Sequence, residues 1–211
     1  RMPISSKRGK QQRDARFTPT ELARSLVEQA LSPGIERDSL VVLDPACGCG
    51  VFLLEVLREL EARQYPGKIR LIGFDASPVS EVMARFCIAR AVADARKSGM
   101  KVDLELKCCD ALATSWGSPD LILMNPPFAS VNEMSEKERN AARTILGPAG
   151  YGKLDKSMAF MFKAADSLAV GGQMASVLPS TLFDSANGES WRKAMMERVS
   201  IRLLGRFHGY G

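Results

Sequence analysis

Four polar residues close four consecutive apolar runs. Asp44 follows 40–43, Asp75 follows 69–74, Asp110 follows the alternating run through 102, 104 and 106, and Asn125 follows 121–124. An acid after a strand is ordinarily a turn residue. Four in series carry more weight, because open parallel sheets bind ligands outside the carboxyl ends of their strands. If these runs are parallel strands, the four side chains share one edge. Two of the turns have chemistry of their own. After the first run the chain reads Asp44-Pro45-Ala46-Cys47-Gly48-Cys49-Gly50, where Ala46, Gly48 and Gly50 let a ligand lie against the backbone. After the fourth it reads Asn125-Pro126-Pro127-Phe128, where two prolines fix the backbone and remove two donors. That turn offers carbonyl acceptors beside a flat apolar ring, a receptor for the exocyclic amine of a planar base.

The first turn is not a phosphate cradle. A dinucleotide fingerprint needs glycine three residues after Gly50, where Leu53 stands, and no Gly-Lys-Ser/Thr is present. The turn suits a nucleoside without pyrophosphate. Asp44 suits a cationic group and Asp75 the hydroxyls of a ribose. S-adenosylmethionine combines these demands: adenosine, no phosphate, an ammonium and a sulfonium.

Strands alternate with helices along the chain. Thr18-Pro19-Thr20-Glu21 has the pattern of a capping box, with Thr18 as N-cap and a helix to about residue 31. Further helices are expected after Gly50 with Leu54, Leu57 and Leu60 inward, over 78–97, from the capping box at Ser135 and Glu138 to about 145, over 156–170 and over 191–198. Strands are expected at 40–44, 69–75, 102–108, 121–124, 173–178 and 201–207. This predicts an α/β fold with a mainly parallel sheet sandwiched by helices.

The chain has 211 residues, 45% hydrophobic and 25% charged, enough for one large domain and far from disordered or collagenous composition. No apolar run approaches a membrane span. The single histidine, His208, argues against Ser-His-Asp triads and His-rich metal sites, and five cysteines suit a reduced intracellular protein. Cys47/Cys49 and Cys108/Cys109 have CxC and CC spacing, so no metal is expected. The net charge of +5 belongs to residues 1–16, which hold six basic side chains against Asp14. We read that stretch as a basic, disordered arm and 17–211 as the catalytic part. Met158, Met161, Met195 and Met196 are expected as core fillers and Trp191 as packing. The long connection 129–153 is read as a substrate-facing loop.

These motifs together resemble the S-adenosylmethionine-dependent DNA adenine N6-methyltransferases of the gamma arrangement, found in restriction–modification systems of bacteria and archaea. The likeness runs from Phe17 to Phe207. It implies a Rossmann-like methyltransferase fold, with S-adenosylmethionine as cofactor and S-adenosylhomocysteine as product. Phe17-Thr18-Pro19 resembles the segment that closes over the cofactor, so Thr18 and Pro19 become cofactor-binding candidates. Asp44 to Gly50 resembles the main cofactor loop, adding Asp44, Ala46, Cys47, Gly48 and Gly50. Asp75 and Ala76 fall at the ribose step, Asp110 and Ala111 beside the cofactor adenine, and Phe160 where an aromatic covers that adenine. Residues 125–128 resemble the catalytic NPP(Y/F) motif. There Asn125 and Pro126 would accept from the target amine and Phe128 would stack on a base flipped from duplex DNA. Asn125 and Pro127 also count toward the cofactor.

Cys49 departs from the family's usual serine, a small-for-small change. The family also carries a target-recognition region that is not apparent here. The resemblance therefore implies an excised catalytic part that reaches DNA through that region or a partner subunit, in the cytoplasm. Two other readings stay open: methylation of a glutamine side-chain amide, and a non-catalytic cofactor-binding subunit of a DNA-modifying complex.

Overall fold

The computed structural model describes residues 18–34, 37–150, 154–184 and 186–207. The basic arm and Phe17 lie outside the described residues, as does part of the 129–153 connection. Five strands, β1 Ser39–Asp44, β2 Lys68–Asp75, β3 Lys101–Cys108, β4 Leu121–Met124 and β5 Gln173–Ser176, form one sheet in the order β3-β2-β1-β4-β5. Every pairing is parallel. The sheet is thus wound in both directions from β1, and the crevice between β1 and β4 is its switch point.

The alternation within each strand divides the core. Leu40 and Val42 of β1, Ile69 and Leu71 of β2, and Leu121 and Leu123 of β4 face a cluster supplied by α1 Thr20–Leu31, α2 Val51–Ala62 and α3 Pro78–Lys97. Leu43, Ile72, Phe74, Ile122 and Met124 face the opposite cluster. That one is filled from α4 Glu136–Leu146, α5 Lys156–Ser167, the short α6 Thr181–Asp184 and α7 Glu189–Met196. Central strands apolar on both faces are what a helix-covered parallel sheet requires. Glu55 of α2, only 3% exposed, pins α1 to α2: it accepts from Arg24 at 3.2 Å and is also paired with Arg58.

Several expectations shift. Helix α1 begins at Thr20, the cap position falls on Pro19, and no side chain caps it, so Thr18 is not the N-cap. Proline has no side-chain acceptor to offer, and its extended backbone moves the helix start one residue on. Helix α5 stops at Ser167, because Leu168 turns extended and the Ala169 N–H donates to the Pro119 carbonyl, leading the chain into β5. Strand β5 ends at Ser176. Residues 201–207 form no strand, despite their apolar content. Instead Arg202 donates to the Gln29 carbonyl at 2.9 Å and Arg206 pairs with Asp184, and Ile201, Leu203, Leu204 and Phe207 are exposed. Strand propensity is realised only against a neighbouring strand. Met158, Met161, Met195 and Trp191 are buried as expected, whereas Met196 is 69% exposed at the end of α7. The capping box at Ser135 and Glu138 is formed, and α4 follows it.

Candidate active site

The carboxyl ends of β1, β2, β3 and β4 carry the four punctuating residues, all at one edge of the sheet. After β1 the chain must turn at once into α2. Gly48 (φ 52°) and Gly50 (φ 85°) take left-handed conformations that branched residues avoid. A methyl on Gly48 would meet nothing within 4 Å, whereas one on Gly50 would strike Ile88 Cδ1 at 2.3 Å. The two glycines therefore do different jobs. Gly50 lets α2 dock on α3, and Gly48 leaves open space over the turn.

Neighbouring strands hold the turn in place. The Cys47 N–H donates to the Phe74 carbonyl at 2.8 Å, and the Gly48 N–H to Asp75 Oδ2 at 2.9 Å. Asp75 Oδ1 accepts from the Ser77 N–H at 2.8 Å, at the start of α3. Asp75 is thus a brace between two turns as well as a half-buried candidate ligand. Ala76 beside it is exposed, and Ala46 is half-buried.

Asp44 is the unusual group. It is 1% exposed, its Oδ1 accepts from the Ala46 N–H at 3.1 Å, and its Oδ2 is a buried oxygen with no hydrogen-bond partner among the described residues. Burial, reinforced by the charge of Asp75, pushes its carboxyl up to about 8 against the bond from Ala46. A buried carboxylate lacking a partner is costly unless a cation or donor arrives. That is the fit expected of a site for a cationic ligand such as the amino end of S-adenosylmethionine. Burial likewise raises the Cys47 thiol, which is therefore neither nucleophile nor thiolate ligand. No group of three or more His, Cys, Asp or Glu is placed to hold a metal among the described residues.

After β3, Asp110 accepts from the Leu112 N–H at 3.1 Å and starts a single 3₁₀ turn, Ala111–Ala113. Asp110 is exposed and Ala111 buried. This turn has a support that sequence reasoning missed. Lys163 of α5 donates to the carbonyls of Ala111, Leu112 and Thr114 at 3.0, 2.7 and 2.7 Å. Its ammonium lies 5.3 Å from the Trp116 ring centre, and the Trp116 indole N–H donates to the Ala111 carbonyl. Phe160, 4% exposed, packs tilted on Trp116 with ring centres 6.1 Å apart, so the structure places it in the core behind this turn. No spacing rule announces a lysine that caps a turn 50 residues away.

After β4, Pro126 is buried while Asn125, Pro127 and Phe128 are half-buried. The chain leaving Phe128 is held by a bridge between Ser130 and Asp155 and by the Lys156 N–H donating to the Ala129 carbonyl at 2.9 Å. Helix α5 therefore starts beside this turn. The Asn125 Nδ2 donates to Thr18 Oγ1 at 3.1 Å, across 107 residues. Thr18 reaches the end of β4 instead of capping α1.

Residues 5–204 match the profile of the N-6 DNA methylase family. The chain belongs to that family. The match upholds the resemblance to S-adenosylmethionine-dependent adenine N6-methyltransferases and does not favour the glutamine reading. Curated relatives include the methylase subunit of the type I restriction enzyme StySPI from Salmonella potsdam, 24% identical across 90% of this chain and 36% of its own length. Another is the type II methyltransferase M.VspI from Vibrio sp. (strain 343), 25% identical across 89% of the chain and 42% of its length. Among solved structures, the methyltransferase subunit of a type I restriction–modification system from Streptococcus thermophilus superposes with a TM-score of 0.63 at 23% identity, over 86% of this chain and 38% of that one. A class I S-adenosylmethionine-dependent methyltransferase from Listeria monocytogenes superposes at 0.62 and 19% identity, over 84% and 50%. The fold is thus the Rossmann-like methyltransferase fold. The chain spans less than half the length of these curated relatives.

Proposed function

We propose that this chain transfers the methyl group of S-adenosylmethionine to the exocyclic amine of adenine in DNA. The observation that carries the proposal is the pairing at the switch point. A buried, partnerless carboxylate oxygen of Asp44 ends β1, and the acceptor turn of residues 125–128 ends the adjacent β4. Bound there, S-adenosylmethionine would supply an electrophilic methyl on its sulfonium. Asp44 would receive the cofactor's cationic end, the backbone around Ala46, Cys47, Gly48 and Gly50 would pass beneath it, and Asp75 with Ala76 would meet the ribose. Asp110, Ala111 and Phe160 would form the adenine side, with Thr18, Pro19 and Pro127 closing the rim. The Asn125 side-chain carbonyl and the Pro126 backbone carbonyl would accept the two amine protons, drawing the nitrogen lone pair out of conjugation and toward the methyl. Phe128 would stack on the flipped base. No covalent nucleophile is required; the chain's contribution is positioning.

Access to DNA belongs to the same proposal. Outside residues 1–16 the charges balance, so we expect only weak, salt-sensitive DNA binding by these residues alone. Tight recognition would come from a further region or a partner subunit, as the relatives' greater length and their description as methylase subunits suggest. No helix among the described residues is long and apolar enough to cross a membrane. The site of action would be the cytoplasm, with the cell's DNA.

The test is incubation with isotope-labelled S-adenosylmethionine and unmethylated DNA, then nuclease digestion and mass spectrometry. Labelled N6-methyladenine is the expected product. Label in the side-chain amide of a glutamine-bearing protein substrate instead would overturn the proposal.

A further inference from the structure

We propose that Thr18 is a positioning residue for the transfer reaction, holding the Asn125 amide so that its carbonyl faces the target amine. This inference rests on the function proposed above, and it differs from the cofactor-contact role that the family resemblance implies for Thr18.

The geometry is specific. The residue before a proline is driven into extended backbone, and Pro19 is itself extended (φ −58°, ψ 142°) before α1 begins. The Pro19 carbonyl accepts from the Ala23 N–H at 3.0 Å, which ties the bend to the helix. Helix α1 is in turn fixed to α2 through Arg24 and the buried Glu55. Thr18 is thereby presented to the carboxyl end of β4 by a rigid bend on an anchored helix. There its hydroxyl oxygen takes the Asn125 Nδ2–H at 3.1 Å, in a half-buried setting.

An asparagine amide has a donor end and an acceptor end, and only one suits each neighbour. With Nδ2 committed to Thr18, Oδ1 is the end presented to a substrate amine, itself a donor. A flipped amide would set two donors against each other once adenine is bound. Thr18 and the substrate therefore select the same orientation, and Thr18 selects it before the substrate arrives. Such preorganisation acts on turnover rather than on cofactor binding.

The experiment compares wild type, Thr18→Val and Thr18→Ser, each with any chain that co-purifies. Valine keeps the shape and removes the hydroxyl; serine restores it. The first readout needs no activity. In protein labelled with ¹⁵N-asparagine, the Asn125 side-chain resonances are assigned by their loss in Asn125→Asp. In Thr18→Val one Nδ2 proton is expected to exchange about three- to ten-fold faster, the equivalent of one hydrogen bond, and Thr18→Ser is expected to restore it. The second readout is the split between turnover and binding: kcat down about tenfold in Thr18→Val, cofactor Kd within threefold, both recovered in Thr18→Ser.

An unchanged Asn125 amide in Thr18→Val overturns the inference. So does weakened cofactor binding with unchanged kcat, which would make Thr18 a cofactor contact. If wild type yields no N6-methyladenine, the proposed function fails, and this inference fails with it even where the amide resonances show the contact.

Discussion

The turns after β1 and β4 lie side by side at the switch point, yet they are built in opposite ways. The β1 turn uses glycines in left-handed conformations to fold tightly around a carboxylate that is buried and incompletely bonded. The β4 turn uses two prolines to stiffen the backbone, and its asparagine is oriented by a threonine from another element. One turn stores an unmet electrostatic demand, which suits tight capture of a cation. The other spends its sequence on rigidity, which suits alignment of a reacting amine. Binding and chemistry should therefore separate when each turn is altered alone.

The largest effect is expected at the β4 turn. Asn125→Ala removes an acceptor that would act on the amine, so transfer should fall by about a thousand-fold or more. Cofactor affinity, measured by calorimetry, should stay within a few-fold. Loss of cofactor binding instead would erase the distinction between the turns.

The second effect belongs to the β1 turn and shows itself in pH. Asp44 sits near 8 when folded, against 3.8 for the ordinary side chain. A group raised in the folded state keeps its proton where the unfolded chain has lost it, so folded stability falls as pH rises from about 4 toward 8. Asp44→Asn should remove that penalty. Its melting temperature should exceed wild type by a margin that grows between pH 5 and pH 8. Cofactor binding should respond in the opposite sense. A cationic ligand favours ionised Asp44, so wild-type affinity should rise with pH up to about 8, while Asp44→Asn should bind about tenfold more weakly or worse and lose that slope. A wild-type affinity that is flat with pH would remove Asp44 from the cation site.

Within the β1 turn the two glycines provide a finer division. Gly50→Ala meets Ile88 at 2.3 Å with an unfavourable φ, and should cost about 2 kcal/mol of stability. Gly48→Ala meets nothing within 4 Å and should cost about 1 kcal/mol. The methyl at Gly48 projects into the space proposed for the cofactor, so its larger effect should be on Kd. Thermal melts with and without S-adenosylmethionine distinguish the two.

Much of this edge was legible in the sequence because it depends on local chemistry. Asp44, Asp75, Asp110 and Asn125 each end a run whose apolar pattern already implies a strand, and the 78–97 helix and the Ser135 capping box follow from local rules. What escaped depends on distance in the chain. The Thr18 pattern satisfies a helix-cap rule, but Pro19 occupies the cap position and Thr18 finds its partner 107 residues away. Residues 201–207 have strand composition without a paired neighbour, which composition cannot reveal. Asp44 was legible as an acid, but its missing partner follows from burial under two adjoining turns.

The smallest expected effect tests whether the adenine side belongs with the β1 turn or stands apart. Lys163 gives its ammonium to three backbone carbonyls of the turn after β3, matching its three donors, and burial lowers its pKa against the pull of Asp110 and Cys109. Replacing it with methionine preserves much of the stem's packing but leaves three carbonyls to find water. The Ala111–Ala113 turn should loosen while Asp44, Asp75 and the β4 turn stay in place. Lys163→Met should therefore raise the KM for S-adenosylmethionine by a few-fold, with kcat within twofold, since one supported wall of a multi-contact site is weakened. Lys163→Arg is not a safe restoration, because a planar guanidinium cannot address three converging carbonyls as an ammonium does. If Lys163→Met lowers kcat while KM holds, the β3 turn acts with the β4 turn on alignment. The boundary between capture and chemistry would then run between β2 and β3 rather than between β1 and β4.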